Sequence, residues 1–277
     1  MNVPEQSAAS AFSAEDRGTA RRVPAIRFDD VTKRYGEGAT VLEAISLTVN
    51  RGEFVSIIGP SGCGKSTLLK LVAGLSPISS GAVEIDGMTP ANARETVAFI
   101  FQDPTLLPWR TVRANVQLGL ELEGVARDRR DAKVKSMLAL VGLEHVAESY
   151  PRQLSGGMKM RVSIARALAT SPRVLLLDEP FAALDEMTRD RMNEELLRLR
   201  GEHGWTVLFV THSVAEAVFL SDRILVLAAH PGRVACDLPV ELASPRTAET
   251  RGSEAFDRAV AEVSRTLRQV EHTGRVR

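Results

Sequence analysis

Residues 59 to 66 read GPSGCGKS and fit the pattern G-x-x-x-x-G-K-S/T, whose residue types suit a polyphosphate. Gly59, Gly62 and Gly64 let the backbone curl so that its N–H groups converge on phosphate oxygens, with Pro60, Ser61 and Cys63 completing the loop. The helix that follows points its positive end at the same anion. In such a loop Lys65 reaches the β- and γ-phosphates, Ser66 offers a hydroxyl to Mg²⁺, and Thr67 adds a contact to the α-phosphate. The chemistry expected is binding of ATP with Mg²⁺. Cys63 reads as a small filler side chain. The other reading is a thiol whose oxidation would block the nucleotide site, though no second cysteine lies near it in sequence.

A second chemical feature is VLLLDEP, residues 174 to 180, an apolar run that ends in two carboxylates. Downstream of a phosphate loop, Asp178 is placed to hold Mg²⁺, directly or through water. Glu179 is placed to polarise the water that attacks a γ-phosphate. Adjacent acids repel each other without a cation, so the pair itself argues for a metal ion nearby. A third feature is LSGGM, residues 154 to 158, where Ser155, Gly156 and Gly157 open a helix and form another phosphate-type helix start.

These residues must be held by strands and helices, and the periodicity supplies them. IRFDDV and VLEAISLTV alternate apolar and polar residues like half-buried antiparallel strands. FVSIIG is apolar almost throughout, as in a strand covered on both faces, and leads into the glycine loop and the amphipathic run STLLKLVAGL. AVEIDG reads as a strand and turn. From about residue 103 to 170 the texture turns helical, in ANVQLGLELEG, RDRRDAKVKSMLALVGL and GMKMRVSIARALA. Strand and helix then alternate through RVLLLDEP, RDRMNEELLRLRGEHG, TVLFVTH, VAEAVFLS and DRILVLA. That alternation predicts a mostly parallel sheet with helices on its faces. SEAFDRAVAEVSRTLRQV reads as a surface helix.

The 277 residues are 44% hydrophobic and 25% charged, ample for a globular core. Lys+Arg and Asp+Glu are both 35, and this neutrality argues against broad electrostatic binding to nucleic acid or an anionic membrane. Two cysteines without metal-ligand spacing fit a reducing cytoplasm. Residues 1–24 have neither periodicity nor the apolar core of a secretory signal, and read as a disordered tail. No run approaches the ~18 apolar residues needed to cross a bilayer, so any membrane role is expected to come through a partner.

With these motifs in this order, the chain resembles the nucleotide-binding subunit of an ATP-binding cassette (ABC) transporter from about Ile26 to Pro239. The resemblance implies an α/β fold: a P-loop NTPase (RecA-like) core, an antiparallel β subdomain and an inserted α-helical subdomain. The expected divisions are a tail at 1–24, an ATPase domain at 25–245 with its helical subdomain at about 103–170, and a C-terminal helical extension at 246–277. The same resemblance implies further roles. Tyr35, in TKRYG, matches the aromatic that stacks on adenine, although a strand-end packing role also suits it. Gln102, in FIFQDP, matches the glutamine that touches Mg²⁺ and the attacking water and links them to the helical insertion. Asp185, in FAALD, matches the loop that couples two active sites; it also suits the N-cap of the next helix. His212, in FVTHS, matches the histidine that hydrogen-bonds the γ-phosphate. Ser155 to Gly157 match residues that contact ATP held by the opposite subunit. A dimer or paired cassette closed by ATP is therefore implied.

FQDPTLLPWRTV, PFAALDEMTRDRM and HPGRV further resemble the nitrate, sulfonate and taurine importer group. Met158 stands where many cassettes carry Gln, with Lys159 and Met160 in place of the usual Gln-rich pair, and none of these removes a phosphate ligand. The implied role is a peripheral ATPase at the cytoplasmic face of the membrane. Its partners would be polytopic permease subunits and, indirectly, an extracytoplasmic solute-binding protein. The apolar run Leu106, Leu107, Pro108 and Trp109 reads equally as a permease-docking groove or as a loop tucked onto its own core. A non-transport cassette acting on nucleic acid or ribosomes would be expected to carry two cassettes or a long coiled coil. Glu179 and His212 argue against a module that holds ATP without cleaving it.

Overall fold

The computed structural model describes residues 23–274, so most of the expected tail at 1–24 lies outside the described residues. The chain runs through β1 (Pro24–Arg34), β2 (Thr40–Asn50), β3 (Phe54–Ile58), α1 (Lys65–Val72), β4 (Ser80–Ile85) and β5 (Val97–Ile100). Four helices follow: α2 (Val112–Val116), α3 (Leu118–Leu122), α4 (Arg127–Leu140) and α5 (Gly156–Ala169). Next come β6 (Val174–Asp178), α6 (Glu186–His203), β7 (Thr206–Val210), α7 (Val214–Leu220), β8 (Arg223–Ala228) and β9 (Arg233–Pro239). Two helices, α8 (Ala248–Arg251) and α9 (Glu254–Gly274), complete the described chain.

The strands form two sheets. One is antiparallel with order β2-β1-β4, and the other has order β5-β6-β7-β3-β8-β9, parallel except where β9 runs against β8. The apolar runs follow from the layering. Every residue of β3, β6 and β7 is buried because both faces of the larger sheet are covered. In β3, Phe54 and Ile58 join the core that includes α2, α4, α5 and α7, while Val55 and Ile57 join the core shared with α1 and the small sheet. Leu175 and Leu177 of β6 face the first core, and Val174 and Leu176 the second.

Two strands carry no clear signal in the sequence. β5 is only VAFI, and β9 alternates exposed with half-buried residues around polar side chains. The expected C-terminal helix forms as α9 and docks one face. Its Phe256 ring meets Phe219 of α7 edge-on at 6.5 Å, and Val263 is buried in the same core.

The helical insertion is tied to the sheet by the segment after β5. Arg166 of α5 donates to the carbonyls of Pro104 and Thr105 at 3.1 and 2.9 Å. The buried Asn115 amide donates to the carbonyls of Leu107, Arg110 and Thr111, and its Oδ1 accepts from the Leu107 N–H at 2.8 Å. The 106–109 run divides accordingly. Leu106 and Leu107 are half-buried, whereas Trp109 is 70% exposed. Leu106 packs against the core, and Trp109 stands outside it. Among the described residues no helix is long and apolar enough to cross a membrane.

Candidate functional site

Strand register assembles the site. Because β5, β6, β7 and β3 are neighbouring parallel strands, their C-terminal ends share one edge of the sheet. Ile100 pairs with Leu177 and Asp178 with Val210. Gln102, Asp178, Glu179 and His212 therefore emerge side by side, next to the loop that leaves β3. Such an edge is where parallel α/β sheets bind ligands.

The loop from Gly59 to Gly64 is a left-handed glycine turn, with φ of 155°, 78° and 97° at Gly59, Gly62 and Gly64. A Cβ on Gly59 would lie 2.6 Å from the Leu227 carbonyl oxygen, so this position excludes any side chain. Gly64 is the N-cap of α1 and has no side chain to satisfy the first N–H groups, which leaves them for an anion. Lys65 is only 6% exposed, and its Nζ donates to the carbonyls of Gly59 and Pro60, each at 2.9 Å. Cys63 is fully buried with Sγ 3.9 Å from Lys65 Nζ, and burial pushes its thiol pKa up. A buried protonated thiol is a poor nucleophile, which favours the filler reading over a redox role.

Ser66 Oγ donates to Asp178 Oδ1 at 2.9 Å. Burial raises the Asp178 pKa, with the charge of Glu179 adding to the rise and the Ser66 bond, Lys70 and Lys65 opposing it. A divalent cation at this carboxylate would reverse that cost. The donor set fits Mg²⁺ carried by a nucleotide, for which one or two hard protein oxygens suffice. No cluster of three or more His, Cys, Asp or Glu that could hold a metal by itself occurs among the described residues.

Glu179 occupies the left-handed region, with φ of 50°, a conformation that costs a non-glycine residue roughly 1 kcal/mol or more. Its N–H donates to the Val210 carbonyl at 3.0 Å, which holds the turn in place. Its carboxylate is gripped from two sides. His212 Nε2 lies 2.6 Å from Oε1, and Gln102 Nε2 donates to Oε2 at 3.2 Å.

Other expected residues stand apart or do structural work. Tyr35 is half-exposed at the end of β1, with Lys33 Nζ 4.4 Å from its ring centroid. Partial burial raises its pKa, but hydrogen bonding with Thr67 and Ser76 and the charges of Lys33 and Lys70 lower it further, to a net fall. The ring thus lies beside the end of the phosphate loop. Asp185 caps α6, accepting from the Thr188 N–H at 3.0 Å, and that bond holds its carboxyl below the usual range. Ser155 caps α5, accepting from Met158 N–H at 3.3 Å. Ser155 and Gly156 are exposed, and among the described residues no hydrogen bond or ion pair joins Ser155, Gly156 or Gly157 to the phosphate loop.

Two contributors escape a linear reading. A cavity of about 290 Å³ is lined by Glu179, Arg189, His212 and also Glu216, which looks like a solvated helix residue in the sequence. Gly232, in HPGRV, forms a bridge to Leu42, and a Cβ there would lie 2.1 Å from the Cys63 carbonyl oxygen. Gly232→Ala must therefore push on the phosphate loop itself. It is expected to destabilise the fold by about 1–3 kcal/mol and to weaken ATP binding. A titration with a fluorescent ATP analogue, alongside thermal melting, would show whether both change; unaltered affinity would mean the loop does not rest on Gly232.

Comparison with known proteins bears on the family and the fold. The family model described as ABC transporter matches residues 42–182. An aliphatic sulfonates import ATP-binding protein of Xanthomonas axonopodis is 49% identical over 77% of this chain and 85% of its own. A taurine import ATP-binding protein of Rhizobium johnstonii is 41% identical over 87% of this chain and 92% of its own. Among solved structures, a dimeric ATP-binding cassette in a post-hydrolysis state with ADP and phosphate matches at a TM-score of 0.73 and 34% identity, covering 79% of this chain and all of that one.

Proposed function

The chain belongs to the ABC transporter family of ATP-binding cassettes and is an ATPase, and from that premise we propose that it powers an importer for a sulfonate-like solute such as an alkanesulfonate or taurine. The observation that carries the reading is the convergence of Lys65, Ser66, Asp178, Glu179, Gln102 and His212 on one sheet edge. The names of relatives at 41% and 49% identity support the import direction and the solute class.

In this reading the glycine loop and the N-terminus of α1 hold the phosphates, and Lys65 neutralises the charge that develops on them. Ser66 and Asp178 would hold Mg²⁺ and Gln102 would help, and the ion would supply charge neutralisation for the phosphates. Glu179 orients and polarises the attacking water, and His212 Nε2 hydrogen-bonds the γ-phosphate. Tyr35, beside Thr67, stacks on the adenine. Ser155 and Gly156 are exposed and Gly157 half-buried at the start of α5, which suits contact with ATP on a second cassette, and Asp185, at the start of α6, would couple the two sites. The dimeric solved relative supports such a pairing.

The segment after β5 transmits the cycle. Gln102 touches Glu179, and two residues on the chain enters the Arg166- and Asn115-bound turn that presents Trp109. That exposed surface suits polytopic permease subunits, with an extracytoplasmic solute-binding protein on the far side and this subunit peripheral on the cytoplasmic face. A cassette acting on nucleic acid is not favoured, given the neutral charge and the importer relatives.

Affinity purification of the tagged chain from detergent-solubilised membranes is expected to recover a polytopic membrane protein in fixed ratio. Trp109→Glu should reduce that recovery at least several-fold while leaving ATP binding intact, as expected for an exposed aromatic anchor. Consistent failure to recover any such protein would overturn the transport reading.

A further inference from the structure

Glu216 is 6% exposed although it lies on α7, one turn after His212, in a segment that reads as an ordinary amphipathic helix. Its Oε2 accepts a hydrogen bond from Thr211 Oγ1, and that same hydroxyl accepts from the Ser213 N–H at 3.0 Å. Ser213 Oγ in turn accepts from the Glu216 N–H at 3.2 Å, while the Thr211 N–H donates to Ile57 of β3. Both neighbours of His212 are thereby fixed in a closed ring of hydrogen bonds, and the imidazole between them is held toward Glu179, 2.6 Å away.

The carboxylate at the centre of this ring is costly to bury. Burial raises its pKa, against the Thr211 bond and the charges of Arg189 and Arg251. Asn193 lies near enough to favour the anion but outside hydrogen-bonding geometry, so its amide atoms and Glu216 Oε1 have no hydrogen-bond partner. An apolar residue would fill this position at lower cost unless the acid has work to do. Its placement on the wall of the cavity that Glu179 and His212 share indicates what that work is.

We propose that Glu216 is a positioning residue of the ATPase site, holding the 211–213 turn through Thr211 so that His212 meets Glu179 and the γ-phosphate. The proposal rests on the assignment of His212 to the γ-phosphate made above. Residues that orient a catalytic group typically change rates by 10- to 100-fold.

The test is a mutant cycle on the purified full-length chain, with ATP turnover, KM for ATP and thermal melting measured for each variant. Glu216→Ala and the near-isosteric Thr211→Val are each expected to lower kcat on the order of 10-fold or more with KM changed less than about twofold. Glu216→Gln keeps an acceptor for Thr211 Oγ1 and should retain most of the turnover. In the His212→Ala background, Glu216→Ala should cause no further loss, because its effect runs through the histidine. The ring resonances of His212, assigned by their disappearance in His212→Ala, should shift in Glu216→Ala and stay in place in Glu216→Gln. If His212→Ala cuts turnover but Glu216→Ala leaves kcat and those resonances unchanged, or lowers kcat by the same factor in both backgrounds, the positioning role is refuted alone. If His212→Ala itself turns over normally, the assignment of His212 falls and the proposal falls with it.

Discussion

Glu179→Gln is expected to lower ATP turnover by about 10²- to 10⁴-fold while leaving ATP affinity equal to or above that of the wild type. The reason lies in what the carboxylate does at its position. Its left-handed backbone and its N–H bond to Val210 are main-chain features that an amide side chain keeps. Its two oxygens face His212 and Gln102, and Gln retains one acceptor and the same length. What the substitution removes is the negative charge that, on the proposed role, polarises water, together with the capacity to take a proton. Binding loses nothing, because the phosphate cradle is built by Gly59 to Ser66. It gains to the extent that a negative charge beside the γ-phosphate is gone. An ATP-bound state that cannot proceed should accumulate, and on the proposal that Ser155 to Gly157 complete a partner's site that state should be a dimer. Phosphate release assays and size-exclusion chromatography in ATP and Mg²⁺ measure both halves. Phosphate release at the wild-type rate would remove Glu179 from its role; a stalled but monomeric enzyme would remove the paired site.

The residues proposed for this chemistry are legible in the sequence where their spacing is local. The glycine loop must be contiguous, since successive N–H groups bind one polyphosphate, so GPSGCGKS declares itself in eight letters. The buried strands β3, β6 and β7 were equally plain, because coverage on both faces demands an unbroken apolar run. Legibility failed where partners come from distant segments. The contact of Gln102 and His212 with Glu179 depends on the register of β5, β6 and β7, and β5 is four residues long with weak alternation. Only the order of the motifs, read as a family resemblance, pointed to those two residues. Glu216 left no signal at all. A glutamate three residues after a serine N-cap looks like a solvated capping acid, and its burial comes from residues distant in the chain, among them Arg189 and Asn193 of α6 and Arg251 of α8. Gly232 was visible only as part of a motif. Its reason, a close approach to the Cys63 carbonyl, is a property of the fold.

Lys65→Ala should move the opposite quantity, abolishing ATP affinity at ordinary concentrations where Glu179→Gln preserves it. In the proposed role Lys65 brings a full charge to the phosphates from a position almost sealed from solvent, where a charge-assisted hydrogen bond contributes on the order of 2–3 kcal/mol. Two such bonds, to β- and γ-phosphate oxygens, correspond to a Kd raised by roughly 10³-fold or more. The same ammonium donates to the carbonyls of Gly59 and Pro60, so its loss also unpairs two acceptors that shape the loop. Some loss of stability without nucleotide is therefore expected, on the order of 1–3 kcal/mol, and affinity has to be read independently of it. Thermal melting with and without ATP and Mg²⁺ separates the two. A ligand at 100 times its Kd adds about 2.7 kcal/mol to the stability of the state it binds. The wild type and Glu179→Gln should both show that upward shift in Tm, and Lys65→Ala should show a lower starting Tm and no shift. A Lys65→Ala variant that ATP stabilises as strongly as the wild type would mean that the glycine loop and helix terminus suffice for binding, and the lysine would then be reassigned from affinity to turnover.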